Sequence, residues 1–267
     1  MKNKISFFID SLDGGGAEKV FKDLANDFAS RNEYIVELIL VKKKGVFIKD
    51  LDPKIRIIDL YSKRTLYSII NLIKYLNKTN TNLIISTQMH VNIVLVLSKI
   101  ISFNKTFVAI RESSTPSVLL KNIYKNIIIR KIIFYLLILF YKFNNIIICP
   151  SEGVANDLID NFYVSKSKIK VIYNPINFKN INIKKNEPIN NNFFNSDAKM
   201  LISIGRLDKY KNHIDIIEVF KKIYKKYNIK LAIFGDGPEE NNLKKIIKLN
   251  NLEKFIQIFK FNDNPYK

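Results

Sequence analysis

Two cations five residues apart, Arg206 and Lys211, follow a short apolar run and Gly205. A forked guanidinium and an ammonium at that spacing can clamp a diphosphate; a solvated basic loop is the plainer account of the same residues. Gly235, Asp236, Gly237, Pro238 and Glu239 follow the next apolar run. The glycines make a turn, Pro238 opens a helix where its missing N–H costs little, and beside the 206–211 loop this turn would wall a nucleotide cleft. Near the start, Gly14, Gly15 and Gly16 stand between an apolar run and a helical pattern. Glycines there let a backbone approach an anion at a helix N-terminus, or simply make a tight turn; Asp13 and Glu18 are suited to favouring that terminus. His90 and Glu112 each follow a short apolar run. His90 can serve as a general base, a substrate contact or a helix cap. Glu112 can hold an acceptor hydroxyl or pair with Arg111. Cys149 ends an apolar run with no base beside it and reads as a buried thiol.

These residues need a frame that gathers them on one edge. Apolar runs at 5–9, 34–41, 55–59, 83–86, 107–110, 146–149 and 169–173 are strand-length, and most are separated by helix-length segments. Seven short buried strands alternating with helices imply a parallel sheet covered on both faces, with ligands bound beyond the strands' carboxyl ends. Asn174 and Pro175 close that pattern. Residues 176–197 are rich in Asn and Lys and read as a linker or surface loop. The alternation restarts with strands at 200–204, 230–234 and 255–259 and helices near 215–227 and 239–248. The expected architecture is α/β: two tandem Rossmann-like doubly wound parallel sheets, one over 1–175 and an incomplete one over 198–267.

Composition narrows the function classes. The 267 residues carry 44 Lys+Arg against 24 Asp+Glu, a net charge of +20, which suits nucleic acid, a membrane surface or a phosphorylated substrate, or reflects a general Lys bias. One cysteine and two histidines exclude a disulfide scaffold and a zinc cluster, so no metal is expected. No base-reading motif accompanies the charge, and nucleic acid is not an expected partner. The run at 5–9 is too short for a secretory signal, and the most apolar stretch, 132–141, is too short to span a bilayer. Residues 118–143 read as one long helix. With Lys121, Lys125, Arg130, Lys131 and Lys142 around an apolar centre, it suits either an anionic membrane interface or a core position.

An ordered set of short motifs resembles the family 4 glycosyltransferases of the GT-B fold. They are Gly-Gly-Ala-Glu at 15–18, Arg-Glu-Ser-Ser at 111–114, Pro-Ser-Glu-Gly-Val at 150–154 and Val-Ile-Tyr-Asn-Pro at 171–175. Gly-Arg-Leu at 205–207, Lys-Asn-His at 211–213, Gly-Asp-Gly-Pro-Glu at 235–239 and Asn-Pro-Tyr at 264–266 complete the set. The resemblance implies transfer of a sugar, with retention at the anomeric carbon, from a nucleotide diphosphate sugar to a saccharide acceptor. That acceptor would be lipid-linked, in bacterial surface polysaccharide synthesis such as lipopolysaccharide or capsule. No cofactor beyond the donor is implied, and the location would be cytoplasmic, peripheral to the inner face of the cell membrane. Arg206 and Lys211 would hold the donor diphosphate, with Gly15 and Gly16 facing it. Gly235, Asp236, Gly237 and Glu239 would line the nucleoside pocket, and His90 and Glu112 the acceptor side. Lys260, where the family often has glycine, would crowd the base pocket. The family's paired glutamates would fall after residue 267, so the chain is expected to be truncated, a weak catalyst or a nucleotide-sugar-binding remnant, with the second unit the less stable.

Overall fold

A computed structural model describes residues 3–262 and 264–267. The chain divides into two compact units, Met1–Pro175 and Ile176–Lys267. In the first, β1 (Asn3–Ile9) leads through a glycine turn to α1 (Gly16–Ser30), β2 (Tyr34–Leu40) and β3 (Arg56–Asp59). Then come α2 (Ile69–Lys78), β4 (Leu83–Thr87), α3 (Met89–Ser102), β5 (Phe107–Arg111), α4 (Pro116–Ile123), α5 (Ile127–Phe143), β6 (Ile146–Cys149), α6 (Glu152–Phe162) and β7 (Ile169–Val171). The seven strands form one sheet in the order β3-β2-β1-β4-β5-β6-β7, every pairing parallel. The chain reverses its direction of travel between β1 and β4, and at such a switch point the loops diverge and leave a crevice above the carboxyl ends.

The strand sequences explain the burial. Phe7, Phe8 and Ile9 of β1 are all inaccessible to solvent, as a central parallel strand covered on both faces requires. Alternation sends Phe8 into a core with α2, α3, α5 and α6, and Phe7 and Ile9 into a second core under α1.

The expected single helix over 118–143 is two helices. Tyr124 leaves helical geometry, and Asn126 caps α5 by accepting hydrogen bonds from the Ile128 and Ile129 N–H groups. A short polar side chain that satisfies two orphan donors outweighs the continuous apolar pattern around it.

The second unit opens with α7 (Phe178–Lys184), then β8 (Lys199–Ile204), α8 (His213–Ile223), β9 (Ile229–Phe234), α9 (Glu240–Leu249) and β10 (Ile256–Phe259). Its parallel sheet runs β10-β9-β8. The segment expected as a linker is thus part of this unit. Besides α7 it contributes Phe194, whose ring lies 5.3 Å from Phe259 and 6.3 Å from Phe234, stacked on both. The helices pack on the other side of the sheet around Leu207, Ile217, Phe220, Leu231, Ile233 and Leu243. Ile233 is fully buried, whereas Ile202 and Ile204 of β8 are exposed.

Candidate functional site

In the second unit two turns interlock at the carboxyl edge. The Leu207 N–H donates to the Asp236 carbonyl and the Glu239 N–H to the Leu207 carbonyl, each at 3.0 Å. Gly235 (φ +154°) lies so close to the 205–207 turn that an added Cβ would stand 1.9 Å from the Gly205 carbonyl oxygen; at Gly237 it would stand 2.2 Å from that of Leu207. Only glycine permits this approach. Asp208 then accepts hydrogen bonds from the Tyr210 and Lys211 N–H groups, which folds the chain back toward the edge. The Lys211 stem consequently passes within van der Waals reach of Gly205 (3.5 Å to a Cβ built there). Arg206 stands on the neighbouring residue, its guanidinium largely exposed and 3.8 Å from Asp208. The structure therefore brings Arg206, Lys211 and the 235–239 turn to one edge.

The carboxylates of this edge are occupied. Asp236 pairs with Lys260 at 3.2 Å and accepts the Phe261 N–H, while Glu239 accepts from the Asn242 amide. Hydrogen bonds from Lys244 and Lys260 hold the Glu240 carboxyl down to about 2. The Lys260 ammonium is thus tethered to Asp236 and Glu240 at the mouth of the turn. Behind it, His213 is buried with Nδ1 3.2 Å from the Ser203 hydroxyl. The histidine lines a cavity of about 370 Å³ together with Asp208, Asn212, Glu239 and Asn242.

In the first unit, Glu18 reaches back over the glycine turn and accepts from the Gly14 N–H at 2.6 Å and the Gly15 N–H at 3.0 Å. The Gly15 amide expected to face a phosphate is committed to this capping box. Gly16 has open space around it. His90 is the second residue of α3 and exposed at the switch point. Desolvation by the surrounding walls lowers its pKa, and the Asp10 carboxylate opposes that in part. Asp10 follows β1 and accepts from the Thr65 hydroxyl at 2.7 Å; its position just past a strand was the signal that could have singled it out.

Glu112 is a correction. Expected to line the acceptor side, its side chain is buried, and its Oε1 accepts from Asn92 Nδ2 (3.0 Å) and from the Tyr141 hydroxyl (3.1 Å). It sets the position of the turn after β5 and does not present itself to a ligand. Burial pushes its pKa up to about 7, against the pull of the Asn92 and Tyr141 hydrogen bonds and the Arg111 charge. Cys149 is buried as expected, and burial raises its thiol pKa to about 12.

Residues 14–180 match the family described as Glycosyltransferase Family 4, and residues 184–267 that described as Glycosyl transferases group 1. The chain belongs to the family 4 glycosyltransferases. This glycosyltransferase is 32% identical, over 99% of its length and 71% of the relative's, to a Campylobacter jejuni enzyme. That relative is named N-acetylgalactosamine-N,N'-diacetylbacillosaminyl-diphospho-undecaprenol 4-alpha-N-acetylgalactosaminyltransferase. It is 30% identical to an uncharacterized glycosyltransferase of Methanocaldococcus jannaschii, over 73% of this chain and 49% of that one. Among solved structures, the Anabaena protein HepE in complex with UDP superimposes with a TM-score of 0.73 at 16% identity, covering 100% of this chain and 71% of that one. WaaG, a glycosyltransferase involved in lipopolysaccharide biosynthesis, gives 0.68 at 11%, covering 98% and 71%. At those identities the likeness establishes the GT-B fold.

Proposed function

We propose that this glycosyltransferase moves a sugar from a nucleoside diphosphate sugar to a lipid-linked saccharide in bacterial surface polysaccharide synthesis, with retention at the anomeric carbon. One observation carries the reading: Arg206 and the folded-back Lys211 flank Gly205 beside interlocked glycine turns at the carboxyl edge of the second sheet. Two exposed cations fixed there bind the donor diphosphate and offset the charge that grows on it as the sugar leaves. The relatives support the reading through what their names state: a diphospho-undecaprenol acceptor for the Campylobacter enzyme, and bound UDP for HepE. Charge-assisted hydrogen bonds contribute about 1.5–3 kcal/mol, so Arg206→Ala and Lys211→Ala are each expected to weaken donor binding roughly 10- to 100-fold. Calorimetry with UDP-sugars and with other nucleotide sugars checks this; unchanged affinity in both variants would remove the assignment.

A lipid-linked acceptor requires the enzyme to work at a bilayer, and α5 supplies the surface. Leu137 and Tyr141 face the core, while Ile128, Ile132, Tyr135, Leu139 and Phe143 form an exposed stripe along the same helix. From residue 113 to 151 there is no Asp or Glu, and five cations flank the stripe. The 17-residue helix is about 26 Å long, and among the described residues no helix is long and apolar enough to cross a membrane. An amphipathic basic helix of this kind lies in the headgroup region of anionic lipid. Vesicle flotation should show at least about tenfold preference for phosphatidylglycerol-containing over neutral vesicles at low salt, each cation near the surface contributing ~1 kcal/mol. Ile132→Glu with Leu139→Glu, both at exposed positions, should abolish recovery while leaving circular dichroism unchanged. Equal recovery with both lipids contradicts the reading.

A further inference from the structure

Arg111 ends β5 and is 5% exposed, yet it forms no ion pair among the described residues. Its guanidinium donates to two neutral acceptors instead: Nη1 to the Thr87 hydroxyl at 3.0 Å and Nη2 to the Asn174 side-chain oxygen at 2.6 Å. Thr87 ends β4, and Asn174 follows β7, so the group extends across the carboxyl edge of the sheet over the end of β6. The one carboxyl beside it in sequence, Glu112, is turned away to Asn92 and Tyr141, and burial keeps that carboxyl partly protonated near neutrality. A desolvated cation held by no carboxylate ion pair is costly to maintain, and burial lowers the Arg111 pKa, opposed in part by the charge of Glu112. The Ser151-capped N-terminus of α6 opens from the end of β6, so the positive end of a helix dipole faces the same edge.

We propose that Arg111 is an anion-binding residue of the first unit whose ligand is a diphosphate. Thr87 and Asn174 fix the plane of the fork without neutralising it, which leaves its charge and remaining N–H groups for phosphate oxygens. Two sources carry that chemistry: the diphosphate of a prenyl-linked acceptor and the diphosphate of the nucleotide donor. The choice between them rests on the glycosyltransfer reading; binding of the anion does not.

Calorimetric titration of the full chain with farnesyl diphosphate and, separately, with UDP distinguishes these. Arg111→Gln is expected to weaken farnesyl diphosphate binding roughly 10- to 100-fold, the loss of charge-assisted hydrogen bonds. Weakening of UDP binding by Arg111→Gln would support the site and assign its anion to the donor. If Arg111→Gln lowers the thermal midpoint, Asn174→Ala serves in its place: it keeps the cation, frees one arm of the fork, and should weaken the same ligand several-fold. Affinities for both ligands that match the unaltered chain in the folded variants overturn the proposal, as does failure of the unaltered chain to bind either one. UDP binding insensitive to Arg206→Ala, with farnesyl diphosphate binding sensitive to Arg111→Gln, would remove the donor-site reading and leave this one standing.

Discussion

Gly235→Ala is expected to strip the second unit of most of its stability and leave the first untouched. The residue sits at φ +154°, a conformation that L side chains rarely adopt, and its Cβ would stand 1.9 Å from the Gly205 carbonyl oxygen and 3.5 Å from Leu207 Cδ2. The obstacle is backbone, which cannot swing aside as a side chain would. Backbone strain and overpacking each cost about 1–3 kcal/mol, so a combined loss of roughly 2–6 kcal/mol is expected. A domain of this size has on the order of 5–10 kcal/mol in total. Relief would require the 205–207 turn to separate from the 235–239 turn, breaking the Leu207–Asp236 and Glu239–Leu207 backbone hydrogen bonds. Hydrogen exchange is the direct measurement: amides of β8, β9 and β10 should lose protection while those of β1 and β4 keep it. Unchanged protection in the second sheet would show that the two turns yield more easily than their spacing implies.

Glu112→Gln should change how the first unit responds to pH. The carboxyl's pKa is raised from 4.5 to about 7 in the folded state, so the folded chain holds this proton more tightly than the unfolded chain does. Between those values folding takes up protons, and stability falls as pH rises from about 4.5 to about 7, then levels off. Over that interval the ionised carboxylate accumulates a penalty of roughly 3 kcal/mol. The glutamine variant, which keeps an acceptor for Asn92 and Tyr141 and has no proton to lose, escapes it. Urea unfolding monitored on the first unit should therefore show the variant gaining on the parent across pH 4.5–7, with a constant difference above. A difference that stays flat through this window would mean that Glu112 is already ionised at pH 5.

The first sheet was readable from the sequence because its strands are short, apolar on both faces and regularly spaced: the bounds 5–9, 83–86 and 107–110 fall within two residues of those of β1, β4 and β5. Turn chemistry was readable for a related reason, since glycines at 235 and 237 and a proline at 238 have few alternative uses. What escaped was whatever depends on a partner distant in the chain. Glu112 looks like a surface carboxylate until α5 brings Tyr141 to it from 29 residues away. Arg111 looks paired with its neighbour until Asn174, 63 residues on, takes its other arm. The break between α4 and α5 lay in a single residue, Asn126, within a run whose hydrophobicity argued for continuity. The 176–197 segment misled through composition: its Asn and Lys content obscured two adjacent phenylalanines.

Those phenylalanines set where this protein can be cut. The Phe193 ring lies 5.8 Å from Phe259, with the Lys230 ammonium 5.0 Å from its centre, and Phe194 is layered on Phe234 and Phe259. A fragment begun at residue 198 would hand two rings of the second sheet to water and forfeit the Asn264 amide's hydrogen bond to the Lys184 carbonyl. A fragment begun at residue 176 inherits all of these. The practical boundary for grafting, crystallising or exchanging the second unit among related enzymes is therefore the Pro175–Ile176 junction, some twenty residues ahead of the point where the strand pattern resumes.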